Sequence, residues 1–274
     1  MYDLLGKSVF ITGGSSGIGF NMAELFVQLG AHVAVFDRQP SPETLGRILA
    51  GRVVAGQDVL GYHLDVTDAA ATDSALGRAA EDIGAPYIVF HAAGIGGFSR
   101  RFEEFSPDRF EEIIRVNLLG TRNVAAAALP LMRPGGKLAL VASLAGLVAA
   151  YGQSGYAASK HGVIGLAGVL RIEWKPKGID VCVICPPEID TPMAQEDRRT
   201  RPPETTAMKM VAGVVDLDEA CRYMVERIQR GQFLIIPGRR ARVTWLLQKI
   251  LPRALTNALA DRMVAKVQAR GASR

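Results

Sequence analysis

The stretch ITGGSSGIGF, residues 11–20, places four glycines and two serines between an apolar run and an amphipathic pattern. The apolar run predicts a strand over Ser8–Thr12, and the residues after the glycines predict a helix over Gly17–Leu29. A strand, a glycine-rich turn and a helix together bind phosphate, because the amides at the helix N-terminus point at the anion. The stretch therefore predicts a nucleotide phosphate site, with an ordinary glycine turn as the alternative.

The spacing TGxxxGxG gives three of these glycines separate tasks. Gly13 permits the tight turn, Gly17 lets a pyrophosphate approach the backbone, and Gly19 allows the helix to pack closely on the strand. The predicted phosphate contacts also include Ser15, Ser16 and Ile18.

An acidic residue, Asp37, closes the next predicted strand about 20 residues after the glycine-rich turn. A carboxylate there accepts hydrogen bonds from the ribose of an adenine dinucleotide and repels a 2′-phosphate, so the sequence favours NAD over NADP. The neighbouring Arg38 pairs with a phosphate, stacks on adenine or faces solvent. Asp65, which closes the predicted third strand, either reaches the adenine or caps the following helix.

Short apolar runs alternate with helical patterns through most of the chain. Runs that are apolar on both faces are typical of buried parallel strands, so this alternation predicts an α/β fold with one doubly wound sheet and helices on both faces. The segment Glu188–Val215 interrupts the alternation and is predicted to be a long loop with short helices. The other predicted strands are His32–Asp37, Gly61–Asp65, Tyr87–His91, Lys137–Ala142, Asp180–Cys185 and Phe233–Ile236, and the other predicted helices are Asp68–Ile83, Pro107–Leu131, Ser154–Trp174 and Leu217–Arg230.

Tyr156 and Lys160 lie four residues apart in SGYAASKHG and therefore share one face of a predicted helix. A free tyrosine has a pKa of about 10, which is too high for a base near neutral pH. An adjacent ammonium group stabilises the phenolate and lowers that pKa, which would make the tyrosine a general acid and base. Taken alone, such a pair also occurs in helices by chance.

The chain resembles the short-chain dehydrogenase/reductase family over about Leu4 to Gly238. The resemblance rests on TGGSSGIG, VNLLG with Asn117, LVASLAG with Ser143, YAASK and PPEIDTPM, which occur in one order at matching intervals. It implies a single Rossmann-like domain with a seven-stranded sheet in three layers. It also implies hydride transfer between a nicotinamide and an alcohol or carbonyl carbon.

The same resemblance implies roles for four residues. Tyr156 would exchange a proton with the substrate oxygen, and Ser143 would hold that oxygen by a hydrogen bond. Lys160 would lower the pKa of Tyr156 and bond the nicotinamide ribose. Asn117 would sit at a helix distortion and hold a water that links Lys160 to solvent. Ser143 as a plain turn serine and Asn117 as a buried helix residue remain structural alternatives.

Two stretches depart from the family pattern. The usual Asn-Asn-Ala-Gly is His91-Ala92-Ala93-Gly94, so His91 is interpreted as structural, while Ala93 and Gly94 still let the backbone pass close to the adenosine. The usual Pro-Gly is Pro186-Pro187, whose second proline removes an amide and fixes φ. The remaining predicted cofactor contacts are Val66, Ile189 and Thr191, of which Thr191 would contact the nicotinamide carboxamide or serve as a turn residue.

The predicted substrate pocket is apolar and flexible. No arginine is placed to clamp a carboxylate, so the sequence favours a hydrophobic secondary alcohol or ketone, of the lipid, steroid or terpenoid kind. The predicted pocket residues are Ile95, Gly96, Leu144, Ala145, Gln153, Pro187 and Met193, together with Met208 and Met210 in the long loop.

The segment 239–274 differs from the body in charge. It holds nine basic residues and one acid, a charge of +8 that leaves the rest of the chain at −3 out of a total of +5. This distribution argues against a nucleic-acid partner.

An apolar stripe in RVTWLLQKILP indicates either a helix pair packed on the body or on a second subunit, or an interfacial helix that touches lipid. The stretch FLIIPGRRARVTWLLQKILP also resembles the C-terminal part of 3-ketosphinganine reductase-like members.

The sequence therefore predicts a catalytic domain over 1–238 and a basic helical extension over 239–274. The favoured function is an NAD(H)-preferring dehydrogenase/reductase, and the alternatives are an NADPH-dependent 3-ketosphinganine-like or 3-oxoacyl reductase and a nucleotide-sensing scaffold without catalysis. Without a signal sequence or a long apolar run we expect a cytoplasmic protein, with contact to a membrane surface left open. Three cysteines argue against a disulfide framework, no metal site is expected, and the family resemblance implies a homodimer or homotetramer.

Overall fold

A parallel sheet of seven strands forms the centre of the computed structural model, which describes residues 4–96 and 99–272. Strands β1, β2, β3, β4, β5, β6 and β9 build this sheet in the order β3-β2-β1-β4-β5-β6-β9, and β7 and β8 pair separately. Their bounds are β1 (Ser8–Thr12), β2 (His32–Asp37), β3 (Val59–His63), β4 (Pro86–His91), β5 (Lys137–Val141), β6 (Asp180–Ile184), β7 (Glu188–Ile189), β8 (Val214–Val215) and β9 (Leu234–Ile235).

Helices cover both faces of this sheet and extend the chain at its C-terminal side. They are α1 (Gly17–Gln28), α2 (Pro42–Leu49), α3 (Ala69–Ile83), α4 (Pro107–Ile114), α5 (Gly120–Ala128), α6 (Ser154–Trp174), α7 (Pro192–Thr200), α8 (Pro203–Ala212), α9 (Leu217–Gln229), α10 (Arg239–Ile250) and α11 (Arg253–Ala272). In the part of the chain that the structure describes, no helix is both long and apolar enough to cross a bilayer.

The strands form because their side chains are apolar on both faces. All five residues of β1 are buried, and Phe10 faces one core while Val9 and Ile11 face the other. The strand order reverses between β1 and β4, whose last residues Thr12 and His91 are paired. In doubly wound sheets, ligands bind at the carboxyl ends of the strands beside such a reversal. The predicted Rossmann-like, three-layer fold is confirmed.

The structure changes two predicted elements. The third strand is Val59–His63 rather than Gly61–Asp65, so Asp65 lies beyond the strand. The predicted helix Pro107–Leu131 is interrupted between α4 and α5 by a π-helical turn, Arg115–Leu119, and ends in a 3₁₀ turn. The helix α2 was not predicted, although Ser41 caps it by accepting a hydrogen bond from the Thr44 amide at 3.1 Å.

The segment 188–215 folds back on itself. Its ends form β7 and β8, which pair in parallel through Glu188 with Val214 and Ile189 with Val215. Helices α7 and α8 fill the span between them, as the prediction of short helices anticipated. The C-terminal helices α10 and α11 pack on α8, where Arg240 donates to the carbonyl oxygen of Met210 at 2.9 Å.

Candidate active site

The glycine-rich turn between β1 and α1 leaves no room for side chains at two positions. Gly13 has φ of 70°, and a Cβ there would lie 2.7 Å from the backbone nitrogen of Ala93. A Cβ at Gly19 would overlap the carbonyl oxygen of Gly13. Both glycines are therefore required by close backbone packing, in agreement with the geometry expected from the sequence.

The same turn fits the pyrophosphate of a dinucleotide. Ser16 stands at the N-cap of α1, yet no side chain caps this helix, which begins with Gly17 and Ile18. The hydroxyl of Ser15 is buried and has no hydrogen-bond partner among the described residues. An uncapped helix N-terminus and a spare hydroxyl donor suit an anionic oxygen, because helix amides and the helix dipole both favour negative charge.

The side chains at the expected adenosine end surround a second, smaller cavity. It is lined by Asp37, Arg38, Gln39, His63 and Asp65. The Asp37 carboxylate accepts a hydrogen bond from the Ser15 amide at 3.1 Å, which fixes it beside the glycine-rich turn. Arg38 and His63 bring basic side chains to the same cavity as Asp37.

Asp65 does not cap the following helix. Asp68 does so, by accepting a hydrogen bond from the Ala71 amide at 2.9 Å. Asp65 instead accepts hydrogen bonds from the Thr67 amide and hydroxyl at 2.9 and 2.8 Å, and the bond from the amide is the main cause that lowers the pKa of its carboxyl. The capping alternative for Asp65 is therefore wrong.

The next residue, Val66, is buried, and its side chain packs over Gly120. Its carbonyl oxygen accepts a hydrogen bond from Asn123 at 3.0 Å. The side chain and the carbonyl oxygen of Val66 are therefore held by protein contacts.

Ser143 and Tyr156 meet where β5 and α6 converge. Ser143 follows β5 and caps the 3₁₀ turn Leu144–Gly146, and its hydroxyl accepts a hydrogen bond from the Ala145 amide at 3.2 Å. Tyr156 lies in the first turn of α6, and the Ser143 side chain is close enough to lower the pKa of its phenol. The two hydroxyls that the sequence singled out are therefore adjacent.

The electrostatics of Tyr156 differ from the expectation. Burial raises the pKa of Tyr156 above its ordinary value, the Ser143 side chain lowers it in part, and Asp197 raises it further. The Lys160 ammonium donates a hydrogen bond to the carbonyl oxygen of Val141 at 2.9 Å and lies 5.7 Å from the centre of the Tyr156 ring. Burial of Tyr156 is the main cause acting on its pKa, and it raises that pKa instead of lowering it as expected.

Lys160 is itself affected by burial. Its pKa falls to about 8, because removal from water disfavours the charged ammonium. Gly94 lies against it and against Asn117, since a Cβ at Gly94 would be 3.6 Å from the Lys160 nitrogen and 3.0 Å from the Asn117 Oδ1. A side chain at position 94 would crowd both residues.

Asn117 lies in the π-helical turn between α4 and α5, at the distortion where the resemblance placed it. Its Oδ1 accepts a hydrogen bond from the Ile95 amide at 2.8 Å, and its Nδ2 donates to the Ile95 carbonyl at 3.0 Å and to the Ser159 hydroxyl at 3.1 Å. These bonds tie the loop after β4 to the helix that carries Tyr156. The expected role as a water holder stays a prediction.

An apolar cavity of about 500 Å³ extends away from Ser143, Tyr156 and Lys160. Ligand sites of this size are common in enzymes. All seven predicted substrate positions line it, and so do Met208 and the predicted cofactor residues Ile18, Gly94, Pro186, Ile189 and Thr191. Met210 does not line it and is instead exposed at the surface.

Two segments line the cavity where the sequence predicted nicotinamide contacts, around Pro186 and Thr191. Thr191 caps α7 by accepting a hydrogen bond from the Ala194 amide at 3.3 Å, and its side chain faces Gly17 at the start of α1. Pro186 accepts a hydrogen bond from the Leu144 amide at 2.8 Å, so the double proline is held against the turn after Ser143.

A buried ionic cluster anchors α7 and α8 to the rest of the site. The carboxylate of Glu188 pairs with Arg198 at 2.5 Å and with Arg201, and Asp197 pairs with Lys209 at 2.6 Å. Asp197 also accepts hydrogen bonds from the Ser99 amide and hydroxyl. These partners keep the pKa of both carboxyls below their usual range although burial acts in the opposite direction.

The C-terminal helices form the far wall of the cavity, which was not predicted from the sequence. This wall contains Thr244, Leu247, Gln248, Leu251, Thr256, Leu259, Ala260 and Met263. The apolar periodicity of the segment was visible, but periodicity alone does not say what a helix face contacts. The alanine-rich stretch after Ser143 also lines the cavity through Val148, Ala149 and Ala150.

The cysteines and His91 occupy structural positions. Cys182, Cys185 and Cys221 are free and buried, and burial raises the pKa of each thiol to about 12, so all three are uncharged near neutral pH. Among the described residues, no group of three or more potential ligands could hold a metal ion. His91 is buried between two threonine hydroxyls at the end of β4.

Comparison with known proteins identifies the family. The family model described as short chain dehydrogenase matches residues 7–202, which is well over half of the chain. The chain is a short-chain dehydrogenase/reductase. Enzymes of this family are NAD(P)-dependent oxidoreductases that act on CH–OH groups, so the scaffold alternative is set aside.

Individual relatives of this short-chain dehydrogenase/reductase carry different substrate names. It is 34% identical to a 3-dehydrosphinganine reductase of Arabidopsis thaliana over 84% of this chain and 69% of the relative. It is 31% identical to a D-beta-hydroxybutyrate dehydrogenase of Cupriavidus necator over 84% of this chain and 86% of the relative. The crystal structure of levodione reductase superposes with a TM-score of 0.76 at 26% identity, covering 85% of this chain and 96% of that one.

Proposed function

We propose that this enzyme interconverts a hydrophobic secondary alcohol and its ketone, with NAD(H) preferred over NADP(H). The observation that carries the proposal is the adjacent pair Ser143 and Tyr156 in the lining of a largely aliphatic cavity. Asp197 and Lys209 also line this cavity, but their charges meet each other at 2.6 Å. A sugar or a small acid would find few polar partners in such a lining, whereas a hydrocarbon body would be favourably buried.

The residues of the site suit proton transfer to a carbonyl oxygen. The nicotinamide, when bound, supplies or accepts the hydride. Ser143 and Tyr156 would hold the substrate oxygen between their hydroxyls, and Tyr156 would donate its proton as that oxygen gains negative charge. Because burial raises the pKa of Tyr156, the phenol is protonated near neutral pH and holds the proton that ketone reduction needs.

Lys160 would act on the resulting phenolate. Its ammonium lies close enough to the Tyr156 ring to stabilise a negative charge there, and its remaining hydrogens are suited to a ribose hydroxyl. Asn117 would support this arrangement by fixing the backbone of Ile95, which lines the same cavity. Gly13, Gly17, Gly19, Ser15, Ser16, Ile18, Ala93, Gly94, Pro186, Ile189 and Thr191 would hold the phosphate and nicotinamide portions of the cofactor.

The preference for NAD rests on Asp37. Its carboxylate is fixed by the Ser15 amide at the place where a ribose hydroxyl would be bound, and it would repel a 2′-phosphate. Arg38 and His63 line the same small cavity and favour the alternative, an NADPH-dependent reductase of a 3-ketosphinganine-like or 3-oxoacyl substrate. The similarity to a protein named 3-dehydrosphinganine reductase supports a lipid ketone in either case.

Nicotinamide absorbance tests the catalytic assignment. Purified enzyme would be given NADH or NADPH with a series of ketones of increasing chain length. We expect turnover to rise with apolar length, and Tyr156→Phe to lower kcat/KM by about 10²–10⁴-fold while cofactor binding persists. Tyr87→Phe, which changes a tyrosine outside the cavity, is the matched control. A Tyr156→Phe variant that turns over as fast as the wild type would contradict the mechanism.

The same assay tests the cofactor preference. Asp37→Ser should raise the KM for NADH and lower the KM for NADPH, since the repulsion of a 2′-phosphate is removed. If the unmodified enzyme already prefers NADPH, Arg38 outweighs the Asp37 carboxylate and the lipid-reductase alternative replaces the favoured one.

A homodimer or homotetramer is proposed as the working assembly. Leu119, Val169 and Ile172 expose large apolar side chains on the π-helical turn and on α6, away from the cavity. Such residues are typical of subunit interfaces. Light scattering coupled to size-exclusion chromatography should give a multiple of 29.4 kDa, and a monomer at assay concentration would exclude this assembly.

A further inference from the structure

The outward side of α10 is apolar. Val243, Leu246, Leu247 and Ile250 recur at i, i+3, i+4 and i+7 and are between 46% and 67% exposed. The opposite side of the helix packs on the body through Ala241, which is fully buried, and Trp245. The helix is therefore fixed to the protein by one side and presents its leucines and isoleucine to the outside.

A second pair of large apolar side chains is exposed on α11, the helix that follows α10. Leu255 and Leu259 lie one turn apart and are about half exposed. We call the six exposed side chains the tail face: Val243, Leu246, Leu247, Ile250, Leu255 and Leu259. Grouped exposure of large aliphatic side chains marks an interaction site rather than ordinary surface.

The substrate cavity opens within the tail face. Leu247 and Leu259 are half exposed, and both also line the cavity that ends at Tyr156. These two leucines therefore form part of the rim between the cavity and the outside. A substrate that crosses this rim passes from one apolar surface to another.

The charge around the tail face is strongly positive. Exposed basic side chains on the same two helices include Arg239, Lys249, Arg253, Arg262 and Lys266. The segment 239–274 carries +8, against −3 for the rest of the chain. A second copy of this face would bring like charges together, whereas an anionic lipid surface complements both the charge and the leucines.

We propose that the tail face docks on an anionic membrane and that the cavity takes its hydrophobic substrate directly from the lipid. The entry step rests on the proposed function, whereas the docking step does not. Docking inserts the exposed leucines of α10 and α11 into the interface and places the basic side chains among the headgroups. The mouth between Leu247 and Leu259 then opens toward the acyl chains, so a long ketone reaches Tyr156 without passing through water.

Vesicle sedimentation tests the docking step. The whole protein would be mixed with vesicles of phosphatidylcholine alone or with added phosphatidylglycerol. We expect binding to the anionic vesicles that weakens with salt, and the double variant Leu246→Ser, Ile250→Ser should lower it by at least about tenfold. Both residues are outside the cavity lining, and Val53→Ser, Val54→Ser, which removes two exposed valines elsewhere, is the matched control.

The result that would overturn docking is equally direct. Wild-type protein that stays in the supernatant with anionic vesicles, or a double variant that sediments like the wild type, rules it out. If the double variant instead dissociates an oligomer that the control leaves intact, the tail face is an interface between copies and the proposal is wrong. Neither readout needs turnover, so a failure here is distinct from a failure of the proposed function.

Kinetics with two forms of ketone test the entry step. The double variant should raise the KM for a long-chain ketone carried in anionic vesicles and leave the KM for a short water-soluble ketone unchanged. Equal KM values for the vesicle-borne ketone in the wild type and the double variant would mean that substrate arrives through water. Circular dichroism and the short-ketone activity confirm that the variant is folded.

Discussion

His91 offers a sharp test of the buried hydrogen bonds that support the site. Its Nδ1 lies 2.6 Å from the Thr12 hydroxyl, and its Nε2 lies 2.9 Å from the Thr121 hydroxyl. Thr121 donates its only hydroxyl hydrogen to the carbonyl oxygen of Asn117 at 2.6 Å, so its oxygen must accept a hydrogen bond from Nε2 of His91. The ring is therefore a neutral Nε2–H imidazole that connects the strand before the glycine-rich turn to the π-helical turn.

The size of the pH effect on stability follows from the pKa of His91. Burial, with a smaller effect from the Lys160 charge, lowers the pKa of His91 from 6.5 to about 3. The unfolded chain therefore binds a proton on His91 more readily than the folded chain. The contribution of the neutral His91 ring to the free energy of unfolding is fully present above pH 6.5. It is lost as the pH falls toward 3, at about 1.4 kcal/mol per pH unit. Between pH 7 and pH 5 the loss from His91 alone is about 2 kcal/mol.

Urea unfolding at several pH values measures this loss. The wild type should lose about 2 kcal/mol more unfolding free energy between pH 7 and pH 5 than His91→Asn, whose amide does not titrate. Only the difference between the two pH values is compared, because the substitution also changes stability at neutral pH. His161→Gln, at an exposed histidine on α6, should keep the wild-type pH dependence.

Two outcomes would refute the reasoning. One is an equal loss of stability in the wild type and in His91→Asn. The other is a proton resonance spectrum in which His91 titrates above about pH 5 in the folded enzyme, since the ring would then accept a proton at little cost.

Four further substitutions test packing and buried polar groups. Gly19→Ala should abolish cofactor binding in a fluorescence titration, because its Cβ would overlap the Gly13 carbonyl. Gly77→Ala, which has open space around its Cβ in α3, should instead raise the free energy of unfolding by about 0.5–1 kcal/mol. Equal effects of the two substitutions on binding and on stability would contradict the contact geometry. Glu188→Gln should cost about 3 kcal/mol and speed proteolysis of α7–α8, because the charge of the buried Arg201 guanidinium loses its Glu188 partner and Arg198 keeps only Asp190. Wild-type protease resistance would argue against this anchor. Gln57→Leu should cost about 2 kcal/mol in urea unfolding, since Gln57 bonds two amides and two carbonyls, and a smaller loss would mean that water replaces it.

The sheet was predictable because its strands are apolar on both faces. The third strand shows the limit of that signal. Leu64 and Val66 are buried, yet they follow the last paired residue, His63. Burial continues past the hydrogen-bonded ladder, so an apolar run alone places the end of a strand too late. Asp65 was consequently assigned to the strand instead of to the turn that follows.

The catalytic residues were predictable from joint motifs, but their electrostatics were not. Sequence spacing puts Tyr156 and Lys160 on one face of α6, and it cannot give the cost of burying them. The Lys160 ammonium donates a hydrogen bond to the Val141 carbonyl, and burial of the phenol raises the Tyr156 pKa. Likewise, helical periodicity through 107–131 does not reveal the π-helical turn, because one inserted residue barely alters an apolar pattern.

The C-terminal stripe shows why an amphipathic pattern does not identify its own partner. An apolar stripe on a helix is normally the side that packs on the body. In α10 the packed side holds Ala241 and Trp245, and the stripe of Val243, Leu246, Leu247 and Ile250 faces outward. The orientation is set by tertiary contacts with α8, which periodicity does not encode. A helix held in this orientation leaves Leu247 half exposed and in the lining of the cavity, as the proposed entry of substrate from lipid requires.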